Sequence, residues 1–344
     1  METQTSEHSP LVSVVVSAFN PGNLLVDAIR SALEQTIQNI EIIYVDGGSS
    51  DETCSRLAGS ITDRRLRIIQ QPANRGIAGG YNEGISEARA PWIAILDADD
   101  LMHPRRLELQ LAALGADPSL DFVSCDLETM DEAGKSLGRM EFLHTPTEIA
   151  LYATYNMPVA HPGLTGRRTA FSQVRYREEF IGAPDFDLLS RITERYRVAG
   201  LAIPLQRWRR HAGSESFAQP DRVEAYACMV RIAAARRRRR QDEGLAGLSE
   251  MTVAVVKGRV PCAQMLLRFA GICAGERLHV LACLHAALAL RHGGGWRAAV
   301  RYVTSLMWAL AAEPAAISAA LGAVGKAPFW ALLKKAGYPA FPRY

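Results

Sequence analysis

The sequence predicts an α/β fold in which a doubly wound, mostly parallel sheet is followed by a helical C-terminal extension. Three observations carry this reading. Short β-branched runs alternate with amphipathic runs as far as Cys125, the pattern of strand–helix–strand units. The composition, 48% hydrophobic and 22% charged, suits a packed core and excludes disordered, collagen-like and disulfide-stapled chains. The charge balance then changes sign: up to Pro220 there are 21 Lys+Arg against 29 Asp+Glu, a net of −8, and beyond it 18 against 7, a net of +11. An acidic front suits cation chemistry and a basic back suits anionic partners. The expected division is a polar tail over 1–10, a sheet domain over 11–220 and a mainly helical, basic region over 221–344.

The elements follow in order. Leu11–Ala18 is short and β-branched, as a strand buried on both faces should be. Pro21 and Gly22 turn the chain into a helix over Leu24–Glu34, where Leu25, Ala28, Ile29, Ala32 and Leu33 fall at helical spacing. A second strand, Ile40–Val45, ends in Asp46 and a Gly-Gly-Ser-Ser turn, and Asp51 opens the next helix as its N-cap. A third strand covers Leu66–Gln70, and a helix over Ala78–Ala88 follows a glycine-rich turn. Trp92–Leu96 is the fourth strand, Pro104–Leu114 a helix with Pro104 in its first turn, and Phe122–Cys125 the fifth strand. Right-handed crossovers join such units, so ligands gather at the carboxyl ends of the strands.

Several functions are disfavoured. No G-x-G-x-x-G follows the first strand and no G-x-x-x-x-G-K-[ST] occurs, which argues against a nicotinamide dehydrogenase and a P-loop hydrolase. A nucleotidyltransferase would carry a lysine-rich loop after the first strand, yet the first of the five lysines is Lys135. The six cysteines form no C-x-x-C pair, so packed, reduced thiols are expected rather than zinc ligands or disulfides. Met1–Pro10 lacks a basic start and an apolar core, so no signal peptide is expected. Tyr302–Val324 is broken by Glu313 and Pro314 and falls short of the about 20 continuous apolar residues of a spanning helix.

The strongest chemical signal is Asp97-Ala98-Asp99-Asp100 after an entirely apolar strand. Carboxylates at i and i+2 of an extended chain project to one side. Two such oxygens suit Mg2+ or Mn2+ with positions open for phosphate, and the bland alternative is a solvated or helix-capping cluster.

With five further segments in order, this motif gives the chain a resemblance to family 2 glycosyltransferases of the GT-A fold over about residues 11–216. Those segments are Val12–Asn20, Ile43–Asp51, Asn74–Asn82, Gly182–Leu188 and Trp208–Ser216. The resemblance implies a transferase that takes a nucleoside-diphosphate sugar as donor and a glycan or lipid-linked hydroxyl as acceptor. It implies metal assistance and a single displacement with inversion, in building a cell-surface polysaccharide.

The resemblance also implies roles. Phe19, beside Asn20, would stack on the nucleobase, and Asp46 would accept hydrogen bonds from base or ribose, with Asp51 either a second nucleotide contact or only a cap. Gly76, Gly79 and Gly80 would let the backbone approach the donor, and Arg75 would face the diphosphate or stay solvated. Asp97 and Asp99 would hold the ion, with Asp97 also reaching ribose, and Asp185 would be the general base, with Asp187 a structural helix residue. His211 and Arg209 match an arginine–histidine segment near the phosphates. His161 and Arg168 match the acceptor side, whereas His103 is read as a surface residue. Gly47 and Pro184 stand where the family usually has carboxylates, which keeps a catalytically inactive nucleotide-sugar-binding module as the alternative.

Beyond Pro220 the pattern is helical. Val223–Gln241 carries arginine at every position from Arg236 to Arg240, which covers all faces of a helix. The segment is either solvated or drawn to an anionic membrane surface. Nucleic acid is not expected, because no aromatics interleave with the arginines. Leu281–Arg291 and Trp296–Ala312 read as a helical hairpin about a Gly-Gly-Gly turn. The expected location is cytoplasmic, peripheral at the inner membrane face.

Overall fold

The computed structural model describes residues 9–214, 218–257 and 261–276, with Ala282, His285 and Ala289. The expected tail, the apolar stretch at 302–324 and most of the expected hairpin lie outside these residues. Contacts divide the chain into two units, Met1–Ala153 with Met157–His211, and Thr154–Asn156 with Ala212–Tyr344.

In the first unit β1 (Val12–Ala18), β2 (Ile40–Asp46), β3 (Leu66–Gln70) and β4 (Trp92–Leu96) form a parallel array in the order β3-β2-β1-β4. Alternate side chains supply opposite cores, as the two-residue strand period requires. Val12, Val14 and Val16 of β1 face one layer, Val15 the other. On the first face pack α1 (Leu24–Leu33), α2 (Thr53–Ser60) and α4 (Arg106–Ala116) through Leu25, Ile29, Leu57 and Leu107. On the other lies α3 (Gly76–Glu87) through Ala78, Tyr81 and Ile85, joined by α6 (Arg168–Val174) and α7 (Pro184–Ile192) through Phe171 and Leu189. The remaining helix of this unit is α5 (Pro146–Tyr152).

The sheet continues past β4 with antiparallel β8 (Thr165–Arg167), then β6 (Phe122–Met130), and β9 (Val198–Arg209) parallel to β6. The two-residue β5 (Leu101–Met102) pairs antiparallel with β9, and β7 (Ser136–Met140) hangs on β6. The sheet is therefore the mostly parallel, helix-covered one expected; its fifth predicted strand, Phe122–Cys125, is the start of β6, and β5, β7, β8 and β9 extend it beyond what sequence pattern revealed. Two boundaries differ from expectation. Asp51 does not cap α2, whose N-cap is Glu52; it accepts the Thr53 N–H at 3.1 Å from one residue outside. Pro104 precedes the Arg105 N-cap of α4 instead of lying in its first turn.

In the second unit α8 (Pro220–Arg238), α9 (Leu245–Val256) and α10 (Cys262–Gly275) pack together. Part of the arginine run is held within this unit, whereas Arg238, Arg239 and Arg240 are exposed. Arg236 pairs with Glu276 and donates to the Glu243 carbonyl, Arg237 pairs with Glu243, and Arg239 donates to the Glu276 carbonyl. Cations also suit the negative end of the α8 dipole. Among the described residues no helix is long and apolar enough to cross a membrane. Cys54, Cys125, Cys228 and Cys273 are free thiols.

Candidate active site

Parallel pairing brings the strand ends together, with Ala18 opposite Asp46 and Val16 opposite Leu96. Phe19, Asp46 and Asp97 therefore leave the sheet at one edge. Phe19 is exposed there, an aromatic face at the mouth of the strands. Asn20 adopts the left-handed backbone (φ 51°), which asparagine tolerates better than most residues. Its Oδ1 accepts the N–H groups of Ser50 and Asp51 at 2.9 and 3.3 Å, so Asn20 shapes the turn after β2. Buried Asp46 accepts from the Tyr44 hydroxyl at 3.0 Å and from the Ser49 N–H at 3.1 Å. Burial pushes the Asp51 carboxyl up, but hydrogen bonds from Thr53 and Gly22 outweigh it and hold it below the usual aspartate range.

The acidic motif does not continue the strand. β4 stops at Leu96, and the Asp100 N–H closes a turn on the Asp97 carbonyl at 3.2 Å. The i, i+2 argument for an extended chain thus fails here, and tertiary contacts aim the carboxylates instead. The buried Tyr81 hydroxyl donates to Asp97 Oδ1 at 2.6 Å. The antiparallel β5–β9 pair sets Arg209 and His211 alongside. His211 Nε2 lies 2.8 Å from Asp99 Oδ2, and Arg209 Nε donates to the Asp99 carbonyl at 2.8 Å. Arg209 thus holds the turn rather than facing an open site, and its Nη1 donates to the Glu132 carbonyl. Burial, and next the Asp97 charge, push the Asp99 carboxyl up against the opposing pull of His211.

Asp100 is fully buried and takes the Arg209 N–H at 2.9 Å and the Gln206 amide at 3.3 Å. Arg106, also fully buried, donates to Gln206 Oε1 at 2.8 Å and so props this support from below. Asp100 was visible only as a member of the acidic motif, and its supporting role, like those of Gln206, Arg106 and Tyr81, was not legible because their partners lie on distant segments. Among the described residues no three His, Cys, Asp or Glu side chains form a ready-made metal cluster.

Asp185 lies in the first turn of α7. Burial pushes its carboxyl up, His161 opposes that, and Asp97 adds to it, which puts the three groups in one electrostatic neighbourhood. His161 is buried, with Nε2 2.7 Å from the Tyr176 hydroxyl, and both rings pack against Tyr81. Asp187 is engaged differently: Arg177 and Arg191 both pair with its fully buried carboxylate. Arg75 pairs with Glu178.

Three residues sit apart from expectation. Gly80 faces the sheet, where an added Cβ would meet Ser17 Oγ at 2.0 Å, and the space beside Gly79 is taken by Arg75. Their missing side chains therefore serve packing of α3; Gly76, with φ 70°, alone has the left-handed backbone of a loop glycine. Arg168 donates to the Ala90 carbonyl at 2.9 Å, at the opposite end of β4 from Asp97, because β8 runs antiparallel to it. His103 is exposed, as expected.

Residues 13–175 match the family described as Glycosyl transferase family 2. The succinoglycan biosynthesis protein ExoO of Rhizobium meliloti is 35% identical over 194 residues, 53% of this chain and 55% of that protein. The chain spans about half or less of the length of the curated relatives it matches. In fold it is similar to TarS 1–349 of S. aureus solved with UDP, at a TM-score of 0.59 and 16% identity over 86% of this chain and 89% of that one. It is also similar to the mannosyltransferase PcManGT of Pyrobaculum calidifontis solved with GDP-Man and Mn2+, at 0.51 and 19% over 86% and 88%. Asp97 and Asp99 fall inside the matched segment; Asp185 and His211 follow it. The sheet domain of this chain thus has the GT-A fold, and most of it matches the model of glycosyl transferase family 2.

Proposed function

We propose that this chain moves a sugar from a nucleoside-diphosphate donor to a hydroxyl of a glycan or lipid-linked acceptor, with inversion, in the assembly of a cell-surface polysaccharide. The observation that carries the proposal is the turn at the carboxyl end of β4, where Tyr81 holds Asp97 at 2.6 Å and His211 lies 2.8 Å from Asp99, with Asp185 in electrostatic reach of Asp97. UDP and GDP-Man in the similar structures support a nucleotide-sugar donor, and the ExoO relative supports a polysaccharide product.

Phe19 and Asp46 line the nucleoside end of this edge, with Arg75 and Gly76 toward the diphosphate. Asp97 and Asp99 fit a hard divalent ion, Mn2+ or Mg2+, because a cation offsets both the burial and the neighbouring Asp97 charge that lift the Asp99 carboxyl. The chain offers two carboxylates, with His211 beside Asp99. When bound, such an ion neutralises the charge that grows on the departing diphosphate.

The chain's own part centres on Asp185. Its partly buried carboxylate, raised first by desolvation, is a stronger base than a solvated one and takes the proton of the acceptor hydroxyl. The acceptor oxygen bonds to the anomeric carbon as the bond from that carbon to the diphosphate oxygen breaks, and the electron pair leaves with the nucleoside diphosphate. Attack from the face opposite the leaving group inverts the centre. Attraction of residues 236–240 to an anionic membrane surface would bring the chain to a lipid-linked acceptor.

The test is nucleoside diphosphate release from UDP-, GDP- and dTDP-sugars with Mn2+. Asp99→Asn should lose metal-dependent donor binding, and Asp185→Asn should bind donor normally without transfer. Transfer by Asp185→Asn at the wild-type rate would overturn the base assignment. Donor binding by wild type with no turnover on any acceptor would favour a binding module.

A further inference from the structure

The ion pair between Arg75 and Glu178 joins two segments with opposite duties in the proposed site. Arg75 is the N-cap of α3, next to Gly76, in the turn between β3 and α3 that the proposed function sets toward the diphosphate. There the Asn74 Oδ1 atom lies 3.6 Å from where a Cβ on Gly47 would stand. Glu178 belongs to the segment between α6 and α7 that leads to Asp185. The Nη2–Oε1 distance is 2.5 Å, and both side chains keep more than a third of their surface in solvent.

The two partners are not equally free. Tyr176, two residues before Glu178, exchanges reciprocal bonds with the Asn82 side chain, both 2.9 Å, in a buried contact. Arg177 pairs with buried Asp187 and stacks over Phe180 at 4.4 Å. The backbone that carries Glu178 is thereby fixed against α3 and α7. Arg75 reaches it by folding back along α3, through space that exists because residue 79 is glycine. A Cβ there would stand 2.5 Å from Arg75 Cβ and 3.5 Å from Glu178 Cδ. The docked arginine is therefore accommodated by the sequence, yet its head remains wet, so exchanging one anionic partner for another costs little.

We propose that Glu178 holds Arg75 in reserve and that the donor diphosphate competes with it for the guanidinium. Donor binding then frees the Glu178 carboxylate on the acceptor side, seven residues before Asp185, where it accepts from acceptor hydroxyls. A planar guanidinium serves either anion, since carboxylate and phosphate present similar paired oxygens. This rests on the donor-binding reading of the site.

The experiment titrates UDP, GDP and dTDP, each with excess Mn2+, into wild type, Glu178→Gln, Arg75→Gln, the double variant and the neighbouring control Glu179→Gln. Release of Arg75 from a half-exposed pair should tighten the best nucleotide by about 2- to 5-fold in Glu178→Gln. Arg75→Gln should weaken it, and the double variant should match Arg75→Gln. Tightening that persists without Arg75, or that Glu179→Gln reproduces, would reduce the effect to general charge and overturn the proposal. Unchanged or weaker binding by Glu178→Gln would overturn it as well. Wild type that binds none of the three nucleotides would instead sink the donor reading itself.

Discussion

Replacing Asp187 with alanine leaves two guanidinium groups facing each other with no anion between them. The wild-type carboxylate is fully buried and takes bonds from Arg177 Nε at 3.0 Å and from Arg191 Nε and Nη2 at 2.9 and 2.6 Å, besides a second contact from Arg177. Arg191 extends the clamp by donating to the Val174 and Arg175 carbonyls, tying α7 to the end of α6. Breaking a buried pair from one side costs about 3–5 kcal/mol. The guanidinium groups here retain 20% and 12% of their surface in water and can partly rehydrate, which favours the lower end. A loss of about 3 kcal/mol lowers Tm by about 6–12 °C in a domain of this size. Thermal melts of wild type, Asp187→Ala and Asp187→Asn measure it, and a double-mutant cycle with Arg191→Met isolates the coupling. Because the clamp sets the first turn of α7, transfer should fall along with stability. A loss below about 1 kcal/mol, the range of a solvated surface pair, would refute the claim that this carboxylate holds the helix.

Other outcomes follow from the same contacts. The Asp185 carboxyl is raised in the folded state, so its contribution to stability is full below its unfolded value and is lost as pH rises through its folded value. Asp185→Asn should therefore melt above wild type at neutral pH while losing transfer; a stability difference that does not grow between acid and neutral pH would contradict this. Gly80→Ala places a Cβ 2.0 Å from Ser17 Oγ and 2.9 Å from its Cβ, an overpacking cost of about 1–3 kcal/mol that exceeds the about 1 kcal/mol gained in helix propensity. Urea denaturation should show net loss, and a gain would mean that α3 can slide on β1. Liposomes with anionic lipid should retain the protein at low salt and release it as salt rises; binding indifferent to salt and to loss of the arginines at 236–240 would exclude headgroup attraction.

Local pattern made the core of the sheet legible. Strands β1, β2 and β4 are buried on both faces, so they read as mainly apolar, β-branched runs, while the outer β3 is only half-buried; the helices between them repeat their apolar residues at helical spacing. The later strands were silent for physical reasons. β8 has three residues and β5 two, too few to show a period, while β9 contains Gly200 and Pro204 and is partly exposed. Pairing decided by a distant partner leaves no periodic trace.

The acidic residues divide the same way. By itself, the sequence determined that carboxylates close an apolar strand and that Asp187 lies near the start of a later helix, because residue type and apolar pattern are local properties. Only the tertiary structure decided what each carboxylate does. The turn at Asp97–Asp100 replaced an extended strand because Tyr81, Arg209 and His211 arrive from elsewhere to bind it. Asp187 became an anchor and Asp185 kept a partly buried carboxyl within the electrostatic reach of His161 and Asp97, since charge is set by neighbours in space and not in sequence.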